Sequence, residues 1–597
     1  MHSFTYIRKA AETIPLHSLG VVDVAGTDVQ ENELLSHALA NVSQSEKSLG
    51  WAVKRSGDFV NEYARQDAAG NRSAGTCDNP NHLLGSFPCL FPYGLGGFEV
   101  DRPISVAYDS HAQWALRYDD KRFCKDHHFM FQVFGVLQKR KICAAANLQI
   151  SKCAFIQHER DFLSLRPSDF ETASVEENAH KVFSNPTMKS FRHHLSTVRA
   201  KVMGTDELWI KIRSLIWGMC MMKNPPNIWL TINPADTQDP IAQVLCGEEF
   251  DLDAFDAHNQ RPSDTAIATD PYAAATFFRV MIDAVLQSLL GIRGYSHGAP
   301  IQREVGILGE IGVYIGTVEA QGRGTLHLHM LLWLNGSQTS KEMKDSLLST
   351  EFREKLKSFI SKNVRADIPD VHGADVFALP RHTRVAFSRP VDPRQPNYLA
   401  NARNAEKNIA RTVQLHRCGP ACTRLVKGRF VCKRRAPFPL ADEDWIDEEG
   451  EWGPCRTNSY LNNWCPPILQ CTRSNHDIKL MSNAHETKHV SWYITGITLY
   501  LTKKQAESSN TSALLAKSLA FHPRDPSRSA TAYDLNKKLV QQCANTLSRE
   551  QELSAPEVVN YLMGWGDRFV SHHFETIHWY NVLRLLKQTF VELNGNQ

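Results

Sequence analysis

An α+β fold is predicted by three features of this sequence. Two long apolar segments, IGVYIGTVEA from Ile311 and TLHLHMLLWL from Thr325, are joined by the flexible QGRG and read as an antiparallel hairpin. A third apolar run, IWLTI from Ile228, follows the Pro225–Pro226 turn and is closed by Pro234, so it supplies another strand for the same sheet. Segments with helical apolar spacing lie on both sides of these strands, as covering helices would.

In chain order, residues 1–75 form a polar, interrupted arm in which ENELLSHALANV (from Glu31) has the pattern of a short amphipathic helix. Residues 76–200 open on a Gly/Pro/aromatic loop and continue in helices such as HAQWALRY and FQVFGVLQKRKICAAANLQ; no acid–base constellation marks them, so they read as structural support. Residues 201–410 contain the strands. Phe191 to Met222 is predicted helical with a break at Gly204, and YAAATFFRVMIDAVLQSLLG has the spacing of a packed helix. A Cys/His-rich stretch occupies 411–475, a tyrosine-bearing helix 476–510 and a further helical region 511–597.

Composition narrows the function. With 67 Lys and Arg against 64 Asp and Glu, the net charge of +3 cannot coat nucleic acid, so any basic groove is local. Lys125, the QKRK run from Gln138 and the KRR run at Lys433 to Arg435 are the local clusters, each read singly as an ordinary solvated charge group. No uninterrupted apolar run reaches membrane-spanning length, and the first residues lack the apolar centre of a secretory leader. The expectation is an intracellular protein with no membrane partner, whose clustered cysteines serve metal rather than disulfides.

Side chains alternate along a strand, so His327 and His329 share one face. Two imidazoles side by side can hold one divalent cation, and as surface ligands they are expected to face solvent and contribute little to the core. Glu319 or Gln321 could add a third donor. His416, Cys418, Cys422 and Cys432 offer four nitrogen or sulfur ligands suited to tetrahedral zinc, with Cys455, Cys465 and Cys471 able to complete or replace that set. The acidic DEDWIDEEGE between them reads as a solvated loop.

Histidine, apolar residue, histidine on a strand resembles the metal motif of the HUH endonucleases, which nick single-stranded DNA with a tyrosine. The form YIGTVEAQGRGTLHLHMLLWLNG resembles the Rep nuclease region of Helitron transposases, especially the fungal type. Other blocks resemble that family in the same order: NHLLGSFPCLFPYGLGGFE from Asn81, NPPNIWLTINPAD from Asn224, ILQCTRSNHDIKLMSN from Ile468, WYITGITLYLTKKQ from Trp492 and ELSAPEVVNYLMGWGDRFVSHHF from Glu552. The resemblance implies an HUH antiparallel sheet with covering helices, flanked by helical regions and a zinc-binding insertion. It further implies magnesium or manganese at His327 and His329, single-stranded DNA as partner and a nuclear setting.

By the same resemblance, Tyr500 is the nucleophile, with Lys503 and Lys504 beside it, and Tyr493 is the second tyrosine. The family pattern sets two tyrosines four residues apart, whereas seven residues separate these two. On a helix that spacing keeps both rings on one face, with backbones about 10.5 Å apart. Thr231 and Asn233 lie in the first Rep motif, where they place the sheet or touch DNA. No G-x-x-x-x-G-K-[ST] phosphate cradle occurs, so the helicase motor that follows the nuclease in full-length Helitron proteins is expected from another chain, if it is used. The rival expectations are a catalytically decayed or domesticated DNA-binding remnant, and a structural zinc protein with incidental histidines.

Overall fold

The computed structural model describes residues 82–99, 103–104, 106–179, 181–249, 264–293, 302–320, 324–368, 371, 375–378, 385, 390–419, 422–426, 429–432, 436–483, 510–521, 531–549, 551–574 and 579–590. It is a mixed α+β protein. The main strands are β1 (Ile228–Asn233), β2 (Gly309–Ala320), β3 (Leu326–Leu334), β4 (Thr423–Val426), β5 (Arg429–Cys432), β6 (Asn475–Leu480) and β7 (Arg568–Val570). The helices that matter most are α1 (His127–Ile150), α2 (Pro167–Asn178), α3 (Pro186–Arg199), α4 (Asp206–Lys223), α5 (Pro271–Ala284), α6 (Tyr398–Val413), α7 (Thr511–Phe521), α8 (Ala532–Arg549) and α9 (Ala555–Leu562).

The central sheet runs β6-β1-β3-β2-β7, every neighbouring pair antiparallel, with the short strand Val305–Gly306 also paired to β2. As the sequence predicts, β2 and β3 form a hairpin, paired from Ala320↔Leu326 up to Ile311↔Leu334. Strand β1 ends at Asn233, immediately before Pro234, whose ring nitrogen has no hydrogen to donate. Helices α3 and α4 are separated near Gly204, which adopts φ +74 and so permits the reversal.

Alternation divides the sheet into two faces. Leu230, Ile232, Leu328, Met330, Tyr314, Val318, Ile478 and Phe569 enter the largest apolar core, together with residues of α1, α5 and α9. On the other face, Trp229, Val313, Ile315, Leu331 and Trp333 pack under Trp209, Ile212, Ile216 and Met219 of α4. Among the described residues, that second core covers one end of its face. At the other end the alternating positions turn polar, and these carry the chemistry described below.

A separate helical core joins distant parts of the chain. Ile142 and Ala146 of α1, Phe170 of α2 and Phe191 and Leu195 of α3 pack with Leu515 of α7 and Leu539, Val540 and Cys543 of α8. Ser512, at the start of α7, donates both its backbone N–H (3.0 Å) and its hydroxyl (2.7 Å) to the Glu177 carboxylate on α2. No helix among the described residues is long and apolar enough to cross a membrane.

Candidate metal centres

The polar end of the sheet is built by register. His327 lies opposite Glu319, and His329 lies opposite Thr317 on one side and Thr231 on the other. Directly opposed residues of antiparallel strands share a face, so the hairpin and β1 bring these side chains together. The Nε2 atoms of His327 and His329 are 3.0 Å apart, and Glu319 Oε2 lies 3.9 Å from the first and 4.0 Å from the second. Ligand atoms held at about 2.1 Å around an octahedral cation are roughly 3.0 Å from their neighbours. The imidazole pair has that spacing, and one carboxylate with two imidazoles suits a hard or borderline divalent ion. Glu319, His327 and His329 thus form a group able to hold a metal ion. Gln321, the alternative third donor, lies outside the described residues.

Burial is the first departure from expectation. His327 is 7% exposed, His329 4% and Glu319 1%, so the ligands are part of the interior rather than a solvent-facing surface. The His329 ring sits 5.2 Å from that of Trp229, which joins it to the core beneath α4. Desolvation, reinforced by the neighbouring His327 and Lys479, drives the His329 pKa well below its ordinary value. The neutral imidazole this favours is the form that binds a cation.

Thr231 has a defined position in this arrangement. Its Oγ1 is 2.8 Å from His329 Nδ1. If Nε2 is to keep its lone pair for a metal, Nδ1 carries the proton and donates it to the threonine oxygen. Such a contact fixes tautomer and ring orientation from behind. Asn233 instead donates from Nδ2 to Asn475 Oδ1 (2.9 Å), and Asn475 donates in turn to Val413 O and Gln414 Oε1 (both 2.8 Å) at the end of α6. It therefore ties β1 to β6 and to the segment leading into the cysteine cluster. Tyr493, Tyr500, Lys503 and Lys504 lie outside the described residues.

The second centre forms where α6 runs into the β4–β5 hairpin. Cys418 Sγ and Cys432 Sγ are each 3.3 Å from His416 Nε2, and one ligand atom from each of His416, Cys418, Cys422 and Cys432 lies within 4.8 Å of all the others. Zinc bound at about 2.3 Å to sulfur and 2.0–2.1 Å to nitrogen sets its ligands roughly 3.5 Å apart, which these positions approach. Gly419 N–H donates to Cys422 Sγ at 3.2 Å, and Cys422 Sγ lies 3.3 Å from Gly419 O, so the turn holds this sulfur in place. Burial and the adjacent Cys432 and Cys422 thiols push Cys418 up to about 11. A cation bound by these thiols would displace their protons.

Among the described residues of the hairpin, Leu425, Phe430 and Val431 are all exposed. A metal staple would replace the missing apolar core. Among the described residues, Cys455, Cys465 and Cys471 stand apart from this group; Cys465 is buried at the start of a helix, where its N–H donates to His476 Nε2 (2.8 Å).

The sequence reading missed the rest of the polar row. Thr317 lies two residues before Glu319 and shares its face by alternation alone, whereas Asp477 of β6 and Arg568 of β7 join the row only through long-range pairing.

Residues 111–332 match the family model described as the Helitron helicase-like domain at the N-terminus. The match takes in α1 to α5, β1, β2 and the histidines of β3, and stops before the cysteine cluster. No curated protein matches the chain.

Proposed function

Because this chain carries a Helitron helicase-like domain over residues 111–332, we propose that it is a Helitron Rep-type endonuclease and strand transferase acting on single-stranded DNA. The observation that carries the reading is the convergence of His327 Nε2, His329 Nε2 and Glu319 Oε2 on one buried point, with Thr231 behind His329. Glu319, His327 and His329 would hold a magnesium or manganese ion, which would supply electrophilic polarisation of the scissile phosphate. The chain itself orients the imidazoles, favours the neutral form of His329 by burial, and keeps bulk water from the ligands.

In this reading the Tyr500 phenolic oxygen attacks phosphorus, a Tyr–O–P bond forms and the bond from phosphorus to the 3′ oxygen breaks. The phenol loses one proton and the leaving 3′ oxygen gains one, so a phosphotyrosine and a free 3′ hydroxyl result. A phenol with an ordinary pKa of about 10 is a weak nucleophile at neutral pH, so positioning must contribute heavily. Tyr493 is the candidate for the later strand transfer, and Lys503 and Lys504 are candidates to stabilise the attacking oxygen. His416, Cys418, Cys422 and Cys432 would hold a zinc ion that ties down the β4–β5 hairpin, and a helicase acting in trans would supply the motor.

One observation favours a second reading, a DNA-binding remnant without cleavage: seven residues separate Tyr493 from Tyr500 where the family has four. A nicking assay on single-stranded DNA with and without manganese separates the two. Cleavage that requires manganese and is lost in the His327→Ala, His329→Ala double variant supports the endonuclease; DNA binding with no cleavage supports the remnant.

A further inference from the structure

One transverse row of the central sheet crosses all five strands: Arg568 of β7, Thr317 of β2, His329 of β3, Thr231 of β1 and Asp477 of β6. Residues opposed across antiparallel strands share a face, so this row lies on the metal-ligand face. Burial agrees with that assignment. Phe569 enters the core on the opposite face, and Val570, two residues from Arg568, packs against the core beneath α4. We propose that Arg568 is the anchor for a phosphate of the DNA strand at the metal site, with the Thr317 hydroxyl as a second donor between the guanidinium and His329. This rests on the nuclease reading above and adds to it a substrate contact.

Three observations support the assignment. The first is position. Arg568 is two strands from His329, roughly 10 Å at the usual spacing of paired strands, a gap that an arginine side chain and a phosphate together bridge. The second is how the guanidinium is held. Asp567 Oδ1 accepts from Arg568 Nε at 2.7 Å, while Asp567 Oδ2 accepts from the Tyr561 hydroxyl at 3.1 Å, so the carboxylate is fixed from two sides. The Arg568 side chain remains 23% exposed, and its two terminal nitrogens make no hydrogen bond among the described residues. A planar fork pinned through Nε presents those nitrogens for two-point contact with phosphate oxygens.

The third observation is Thr317. It is 1% exposed, and its Oγ1 is buried without a hydrogen-bond partner among the described residues. A buried hydroxyl with nothing to bond is costly, and a phosphate oxygen lying along the row would satisfy it. The backbone is arranged to deliver β7 to this place. Val318 N–H donates to Asp567 O at 2.9 Å, and Gly564 and Gly566 both take φ +74 in the turn before the strand.

The test uses the full chain, a fluorescein-labelled oligo(dT) and manganese. Arg568→Gln is expected to weaken oligo(dT) binding about tenfold, as for loss of a charged hydrogen bond. It should also flatten the slope of log affinity against log salt by about 0.7, the value for one phosphate on a single strand. Manganese affinity, read by calorimetry, should not change. Arg568→Lys should restore the slope and only part of the affinity. Binding and slope equal to the unsubstituted protein in a folded Arg568→Gln variant, with manganese still bound, would overturn the anchor alone. A wild-type chain that binds neither manganese nor oligo(dT) would overturn the anchor together with the nuclease reading. Should Arg568→Gln fail to fold, phenylglyoxal modification of the wild type decides: protection of Arg568 by oligo(dT) is expected, and equal modification with and without DNA would refute the role.

Discussion

Replacing Thr231 by valine is expected to weaken divalent-ion binding without touching a ligand. Valine has nearly the same shape, so the main change is loss of the hydroxyl 2.8 Å from His329 Nδ1. Both residues are buried, Thr231 at 8% and His329 at 4% exposure, so water does not readily replace the lost partner. An unsatisfied buried donor costs about 1–3 kcal/mol. Removing the partner behind a ligating histidine typically lowers metal affinity about 10–100-fold. Calorimetric titration with manganese reads the affinity, and thermal denaturation of the metal-free protein reads the stability. Thr231→Ser, which keeps the oxygen, should retain most of both. Unchanged manganese affinity in a folded Thr231→Val protein would refute the idea that the threonine sets the His329 tautomer.

Three further outcomes are expected. Glu319→Gln should weaken manganese binding at least about tenfold while leaving the metal-free protein no less stable, because a buried carboxylate is costly when no cation neutralises it; lowered stability of the metal-free variant would contradict this. Protein purified without chelator should contain tightly held zinc, and the Cys418→Ser, Cys422→Ser pair should release it and open residues 416–432 to alkylation, since folding and binding are coupled in such sites; freely alkylated thiols in zinc-free wild type would refute it. Stability should fall on acidification below about pH 6.5. Burial lowers His476 and His194 to about 4 each, so between those values the unfolded chain binds protons that the folded one does not. For fully buried His476 the loss at pH 5 is on the order of 2 kcal/mol, measurable by urea denaturation across pH, and a flat profile from pH 7 to 5 would contradict it.

The hairpin was legible because its signals are local. Period-two alternation puts His327 and His329 on one face, and a reversal near QGRG sets Glu319 opposite His327. The cysteine cluster was legible for a similar reason, its four donors lying within one short stretch. What alternation cannot supply is the number of strands and what covers them. Thr231 meets His329 across 98 residues, and Arg568 reaches the same row only after β7 returns to pair with β2. The contacts of His329 with Trp229 and Thr231 exist only once β1 pairs with β3, which a strand read alone does not reveal. The acidic DEDWIDEEGE also carries more order than a loop, since Trp445–Ile446 within it pairs with Trp452–Gly453 just beyond. Likewise the helical core shared by α2, α3, α7 and α8 joins distant segments, as the Glu177–Ser512 bond across 335 residues shows.

The central claim is that the point defined by His327, His329 and Glu319 serves cleavage of single-stranded DNA by a tyrosine. Denaturing gel analysis of the full chain incubated with labelled single-stranded DNA tests it most directly. The account predicts a covalent protein–DNA adduct that forms with manganese, disappears with chelator or in the His327→Ala, His329→Ala variant, and is abolished by Tyr500→Phe while single-strand binding persists. Survival of the adduct in Tyr500→Phe with its loss in Tyr493→Phe would reverse the choice of nucleophile. No adduct from wild-type protein with manganese and DNA both bound would contradict the claim and leave a DNA-binding remnant.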